Sequence, residues 1–213
     1  MKKSALLSLF VLSLIGFSVS AEAKTAIADI DAHVSTLGIG MDLSSAVTDT
    51  IDARIGFSQF KKSFNQSTSS NGGQANYSGN LKLSSVDLLA DWHLFNGVTH
   101  LTTGAMYNGN KLEMNAVGTY VINGTSYNTP LTTTVAFNKF APYLGFGWSG
   151  RARNTGWSFK SDFGILFQGA PKTTITAPGV SAADIASEEK TINDSLKNFK
   201  YYPVISIGIG YAF

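Results

Sequence analysis

Along most of the chain large apolar residues alternate with small or polar ones, and this period of two is the signature of a β-strand. The last segment shows it best. Tyr201, Pro203, Ile205, Ile207, Ile209, Tyr211 and Phe213 share one face, while Tyr202, Val204, Ser206, Gly208, Gly210 and Ala212 share the other. A strand of a soluble sandwich would turn its large residues to a core and its charges to water. Here the second face is tiny or polar, as expected where many strands converge inside a narrow barrel. Six further segments read the same way. Ile51, Ala53, Ile55 and Phe57 oppose Asp52, Arg54, Gly56 and Ser58; Val86, Leu88, Ala90 and Trp92 oppose Asp87, Leu89, Asp91 and His93. Leu101, Ala105 and Tyr107 oppose His100, Thr102, Gly104 and Asn108, and Phe140, Leu144, Phe146 and Trp148 oppose Lys139, Tyr143, Gly145 and Gly147. Trp157, Phe159, Phe163, Ile165 and Phe167 oppose Ser158, Lys160, Asp162, Gly164 and Gln168; Leu37, Ile39, Met41 and Leu43 oppose Gly38, Gly40 and Asp42. The apolar face carries no charge in any of them, and Thr103 and Ser161 are its small polar exceptions. A lysine or arginine facing lipid at mid-bilayer costs about 2–4 kcal/mol, so an uncharged face is what a membrane wall requires.

The connections alternate in length. Short turns fall near Ser45–Thr48, Phe95–Gly97 and Gly150–Thr155, and long polar loops span roughly 61–79, 109–132 and 169–199. In outer-membrane barrels short turns face the periplasm and long loops face outside. Seven strands would leave the two termini on opposite sides, and an even count needs one more. Ala26 to Val34 supplies it, with Ala28, Ile30, Ala32 and Val34 outward, Asp29, Asp31 and His33 inward, and a two-residue turn at Ser35-Thr36. Ser-Thr is poor chemistry for a turn that favours Asn-Gly or Gly. The predicted fold is therefore all-β: an eight-stranded antiparallel transmembrane barrel of the outer-membrane type. Two elements are expected within the long loops. Asn123-Gly124, flanked by Tyr120–Ile122 and Thr125–Tyr127, signals a hairpin. Ser181, with Asp184 three residues on and Ile185, Ile192, Leu196 and Phe199 at helical spacing, predicts a short capped helix in the last extracellular loop, packed over the barrel rim. Trp92, Trp148 and Trp157 all lie on the apolar face at short-turn ends, where an aromatic girdle at the periplasmic interface would sit.

The first residues follow another pattern. Lys2 and Lys3 precede an apolar run from Ala5 to Val19, and Ala21-Glu22-Ala23 has the spacing signal peptidase accepts, with Val19-Ser20-Ala21 as a second site. The run is shorter than the ~20 residues a bilayer-spanning helix needs. Residues 1–23 are thus expected to be a signal peptide cleaved after Ala21 or Ala23, leaving 24–213 as the barrel domain. Removing Lys2, Lys3 and Glu22 from 16 basic and 14 acidic residues leaves 14 and 13. A near-neutral chain with scattered charge has no electrostatic footprint for nucleic acid. The chain has no cysteine, which excludes disulfides, thiolate chemistry and Cys-type zinc sites. No cofactor and no metal is expected. Mean hydropathy is barely above zero and no second run spans a membrane as a helix, so a membrane location requires a closed sheet that pairs every backbone group.

The predicted inward face carries the candidate chemistry. It places Asp29, Asp31, Asp42, Asp52, Asp87, Asp91 and Asp162 in the lumen against Arg54, Lys139 and Lys160, with His33, His93 and His100 able to titrate. Two readings stay open. The charges form a salt-bridged plug that fixes register, as an eight-stranded interior just wide enough for side chains favours. Alternatively the acidic excess lines a narrow pathway preferring small cationic solutes. His33-Val34-Ser35 has the His-x-Ser spacing of lipid A-modifying barrel hydrolases, but inward facing of His33 speaks against an enzyme. A non-conducting structural or adhesion barrel, with the long loops as its working surface, is a further alternative. A soluble sandwich or lipocalin-like carrier fits poorly with an uncharged aromatic face running to the last residue.

Several segments resemble small outer-membrane barrels of the OmpW and CarO type: Val34-Ser-Thr-Leu-Gly-Ile-Gly40, Ala141-Pro-Tyr-Leu-Gly-Phe-Gly-Trp148, Gly156-Trp-Ser-Phe159, Gly164-Ile-Leu-Phe-Gln-Gly-Ala-Pro171 and Tyr201-Tyr-Pro-Val204. The resemblance implies an eight-stranded barrel in the cell outer membrane and, for some relatives, uptake of small solutes including basic amino acids. It carries no agreed functional residues. Tyr211-Ala212-Phe213 looks like the C-terminal signal read by the barrel-assembly machinery. The implied partners are that machinery, outer-membrane lipid and lipopolysaccharide, and, for a conducting barrel, small cationic solutes.

Overall fold

The computed structural model describes residues 28–70, 73–122, 124–149 and 156–213. The expected signal peptide and the turn at Gly150–Thr155 lie outside them. Among the described residues twelve strands and one α-helix, with a single 3-10 turn at Leu94–Asn96, follow in the order β1 (Ala28–Ser35), β2 (Gly38–Ala46), β3 (Ile51–Ser70), β4 (Gly73–His93), β5 (Thr99–Asn108), β6 (Lys111–Ile122), β7 (Thr125–Asn128), β8 (Leu131–Ala136), β9 (Phe140–Ser149), β10 (Gly156–Phe167), β11 (Lys172–Thr176), α1 (Ala182–Leu196) and β12 (Tyr201–Ala212). No described helix is long and apolar enough to cross a membrane.

Eight of these strands close a ring. Antiparallel pairing runs β1–β2–β3–β4–β5–β9–β10–β12, and β12 returns to β1 from Asp29↔Ala212 to Ser35↔Ser206. The eighth strand is the one parity demanded, at the start of the described chain. Facing follows the period of two: Ile55, Phe57, Leu88, Phe146, Phe159 and Ile207 are exposed outside, while Arg54, Asp91, Tyr143, Asp162 and Val204 are buried inside. Closure satisfies the backbone and abolishes the free edge.

The first hairpin turns one residue later than expected. Ser35 pairs with Gly38, so the turn is Thr36-Leu37. Ser35 Oγ accepts from Leu37 N (3.1 Å) and donates to Gly38 O (3.2 Å), and Gly38 takes a φ of 120° that only glycine adopts readily. Leu37, expected on the lipid face, instead folds into the interior and is buried.

At the opposite end from the short turns the ring does not simply stop. β3 and β4 run on past the other strands as one hairpin in unbroken register, from Ile51↔Trp92 to Ser70↔Gly73. β6 continues β5 along β4, since Ser85↔Asn108 is followed by Lys82↔Lys111. The two-residue break is bridged by Gly109 N to Ser84 O (2.7 Å) and by Ser84 N to Asn110 Oδ1 (3.0 Å). β8 continues into β9, and β11 pairs with β8 beyond the end of β10. The result is a one-sided wall of β3, β4, β6, β8 and β11 standing above the ring, whereas β12, β1 and β2 end at the rim. The segments expected as loops at 61–79 and 109–132 are thus largely sheet, and 169–199 holds the short strand β11 and the helix α1. Where the Asn123-Gly124 hairpin is expected, Ile122 pairs with Thr125 and Gly124 has a φ of 81°; Asn123 itself lies outside the described residues. The predicted helix is α1, capped by Ser181 Oγ accepting from Asp184 N (3.1 Å). It seals the wall rather than lying over the rim: Thr173 N donates to Asn193 Oδ1 (2.8 Å), Ile175 N to Glu189 Oε1 (2.7 Å), and Tyr127 Oη to Asp184 Oδ2 (2.5 Å).

Candidate functional site in the barrel interior

The lower half of the interior, toward the short turns, is ionic, and its centre is Arg54. This guanidinium is 4% exposed and faces three carboxylates: Asp91 Oδ1 at 2.9 Å, Asp162 Oδ2 at 3.0 Å and Asp42 Oδ2 at 3.7 Å. Asp91 also accepts from Thr102 Oγ1 (2.7 Å), and Asp162 lies 2.9 Å from His100 Nε2. His33 bridges Asp42 (Nδ1 at 3.2 Å) and Ser58 (Nε2 at 2.9 Å). Lys160 Nζ donates to Asp31 Oδ2 (3.0 Å) and Ser44 Oγ (3.1 Å). Nearer the short turns, His93 stands 2.8 Å from Asp52, and Ser158 donates to Asp29 (3.0 Å). Asp87 is buried above Arg54, facing Asp42 across Gly56. Buried charges of this kind persist only when paired and hydrogen-bonded, and most of these are.

The inward glycines make the network possible. A Cβ on Gly56 would fall 1.9 Å from Asp42 Oδ1, and one on Gly147 would fall 2.7 Å from His100 Nε2. The small inward face seen in the sequence is therefore space reserved for particular neighbours.

Two sequence expectations change here. Lys139 is not in the lumen. It precedes β9, its carbonyl accepts from Asn108 N (2.7 Å), and its Nζ lies 5.7 Å above the Tyr107 ring on the outer surface. Alternation assigned it inward, but beyond the strand end the alternation no longer binds. The second change is an apolar layer in the upper half, above the charges. Leu37, Leu89, Met106, Ala141, Tyr143, Leu166 and Val204 form one buried cluster, with the Tyr143 ring seated over Gly145 and Gly164. Its signal was the run of large inward residues at Met106, Tyr143, Leu166 and Val204. Between the two layers a cavity of about 30 Å³ remains, bordered by His33, Arg54, Asp87, Tyr143 and Asp162. That is space for about one or two water molecules.

Ligand atoms of Asp91, His100 and Asp162 lie within 4.8 Å of one another, a spacing that suits a divalent cation. Arg54 donates to both carboxylates, so a fixed cationic group already stands there. The His33–Ser35 pair is engaged separately, His33 with Asp42 and Ser58 and Ser35 with its own turn.

Trp92, Trp148 and Trp157 all point outward at the short-turn ends of β4, β9 and β10. Trp157 packs edge-on against Tyr211 (5.5 Å), and Tyr211 against Phe213 (5.2 Å). Phe213 N also donates to Ala28 O (3.0 Å), so the last residue is stitched to the first described one.

No family model matches the chain, and a comparison with curated proteins gives no match. Among solved structures the chain is similar to CarO2 of Acinetobacter baumannii, with a TM-score of 0.58 at 18% identity over 88% of this chain and 98% of that one. It is similar to CarO of the same organism, with a TM-score of 0.57 at 18% identity over 90% of this chain and all of the other. The chain thus shares the fold of the CarO structures, an eight-stranded β-barrel of the outer-membrane kind.

Proposed function

We propose that this protein is an outer-membrane barrel that does not conduct, whose lumen is a structural plug and whose working surface is the wall above the ring. The observation that carries this reading is the double seal: Arg54 held among Asp42, Asp91 and Asp162, under the apolar layer of Leu89, Met106, Tyr143 and Leu166. The uncharged outer face supports the membrane location, and connection lengths orient it with the short turns in the periplasm and the wall outside. In that orientation Trp92, Trp148 and Trp157 form the periplasmic girdle, and Tyr211 and Phe213 present the terminal signal to the assembly machinery. The protein is no enzyme on this reading, because Ser35 is spent on its turn and His33 on Asp42.

The competing reading is the cation-preferring path for basic amino acids. With Lys139 outside, seven inward aspartates face only Arg54 and Lys160 as fixed bases among the described residues, so an open path would favour cations. Planar-bilayer recording of the purified barrel decides between them. The plug predicts no single-channel steps in potassium chloride or lysine hydrochloride. Steps with cation selectivity would overturn it and establish the path instead.

A further inference from the structure

One row of the wall has an arrangement that folding alone does not call for. Lys61 pairs directly with Lys82, Lys82 with Lys111, Lys111 with Ala136, and Ala136 with Lys172. Directly opposed residues project from the same face, so four lysines stand in line across five strands, a span of about 19 Å. Like charges placed opposite one another destabilise a sheet. Lysine is used to protect free edges, which accounts for Lys61, where β3 has already lost β2, and for Lys172 on the end strand; but β4 and β6 are paired on both sides at this row, so protection is not the reason for Lys82 and Lys111. Lys111 has Glu113 at 2.5 Å. Among the described residues no carboxylate pairs with Lys61, Lys82 or Lys172.

The position of the row is informative. Along β3 and β4 the face that carries Phe57 and Val86 carries Lys61 and Lys82 four residues further on, with Gln59 and Ser84 between. At a barrel tilt of about 40° this lifts the lysines roughly 10 Å above the last aromatic row. Above them the same face turns to amides and hydroxyls: Ser63, Asn80, Thr134 and Thr174 with Glu113, then Asn65, Ser78, Asn115, Thr132 and Thr176. Beneath Lys61 the outer surface opens into a groove of about 540 Å³ lined by Ile39, Met41, Phe57 and Phe60. Moving outward, the surface is apolar and grooved, then cationic, then rich in neutral hydrogen-bonding groups.

We propose that this face binds a phosphorylated glycolipid of the outer leaflet, with an acyl chain in the groove, its phosphates on the Lys61–Lys82–Lys111–Lys172 row and its sugars against the Asn, Ser and Thr rows. The site rests on the outer-membrane placement proposed above and is independent of whether the lumen conducts.

The test uses the full mature chain refolded in detergent, with fluorescent bisphosphorylated lipid A and its dephosphorylated form as probes. Wild type is expected to bind the bisphosphorylated form about tenfold tighter or more, as several lysines near one anionic surface imply. K61Q/K82Q/K111Q/K172Q abolishes that preference, the matching four Lys→Arg changes keep it, and K190Q/K197Q on α1 leaves it unchanged. Heat-modifiable gel mobility confirms that each variant is a folded barrel, and the single changes K82Q and K111Q serve if the quadruple one fails to fold. Equal affinity for the two lipids, or a preference that survives the glutamine changes, overturns the proposal. So does competition by inorganic phosphate at the same concentration as lipid A, which would make the row a free-anion site. A lost gel shift or a soluble protein would instead refute the membrane placement.

Discussion

β4 passes through two regions that follow different rules. Inside the ring its inward residues His93, Asp91 and Leu89 meet partners from strands far away in sequence, because closure brings the whole circumference onto one axis. Arg54 and Asp162 are 108 residues apart, and Lys160 and Asp31 are 129. In the wall the same strand presents Lys82, Asn80 and Asn76, whose partners are nearest neighbours across one ladder: Ser63 donates to Asn80 (2.6 Å) and Ser67 to Asn76 (2.8 Å). The ring is a closed network in which one side chain bears on several strands. The wall is an open stack in which a change is felt locally. Stability should therefore reside in the interior, which leaves the wall free to carry a surface that is poorly suited to its own folding.

The sharpest way to break this contrast is to remove the hub. Arg54→Ala leaves Asp42, Asp91 and Asp162 buried without their cation and should cost about 3–5 kcal/mol, the usual loss when one partner of a buried pair is deleted. Urea unfolding in micelles, followed by tryptophan emission, measures it, and a loss below about 1 kcal/mol would mean that the network does not hold the ring. Leu166→Ala tests the other layer. Leu166 is fully buried, and truncation should cost about 2–5 kcal/mol through lost contacts and the cavity left behind. If the two layers are independent seals, bilayer recordings of Leu166→Ala remain silent, because the ionic layer below is intact.

The wall should answer differently. Thr173 N and Ile175 N point away from β8 and are held by Asn193 and Glu189 of α1, so the helix caps an edge that would otherwise be free to pair with another chain. Glu189→Ala with Asn193→Ala should cost about 1 kcal/mol per bond, felt only in the wall. Hydrogen exchange at Thr173 and Ile175 would accelerate while the urea midpoint of the ring stays put. A matching fall in that midpoint would show that ring and wall unfold as one unit and erase the distinction.

The same contrast explains what could be read from the sequence. Within the ring, lipid on one side and a crowded lumen on the other force strict alternation, so Ile55, Phe57, Leu88 and Phe159 announce their facing and even the parity argument for β1 holds. Above the rim the outer face of β3 and β4 turns polar while Phe60, Phe64, Leu81 and Leu83 keep the inner parity, and the Ser-, Asn-, Gln- and Gly-rich run from 65 to 80 makes 61–79 read as a polar loop although its register is unbroken. Lys139 and Leu37 fail at strand ends for a related reason: there the turn, not the pleat, sets the side-chain direction. The interior aspartates were visible as inward positions, but their partners were not. Which cation Asp162 meets depends on strand stagger around a closed ring, and no spacing within one strand encodes it. The apolar layer is legible as large inward residues at Met106, Tyr143, Leu166 and Val204, but their meeting at one height depends on the same stagger.

The smallest effect separates the two regions most cleanly, because its sign is opposite to the others. Lys82 is the centre of the lysine row, with Lys61 directly opposite on one side and Lys111 on the other. Replacing it with glutamine removes two like-charge contacts and keeps a side chain that packs on the sheet. In lipid-free micelles Lys82→Gln should raise the stability of the wall, by about 0.2–1 kcal/mol at low salt, and the gain should shrink as salt screens the repulsion in the parent protein. Exchange rates of the β3–β4 amides above Gln59 report it. Adding bisphosphorylated lipid A reverses the order, since the ligand stabilises the parent in proportion to its binding and the variant less. A variant less stable than the parent in both media would mean that Lys82 is held by packing alone, and the row would lose its strain and with it the argument that an anion relieves it.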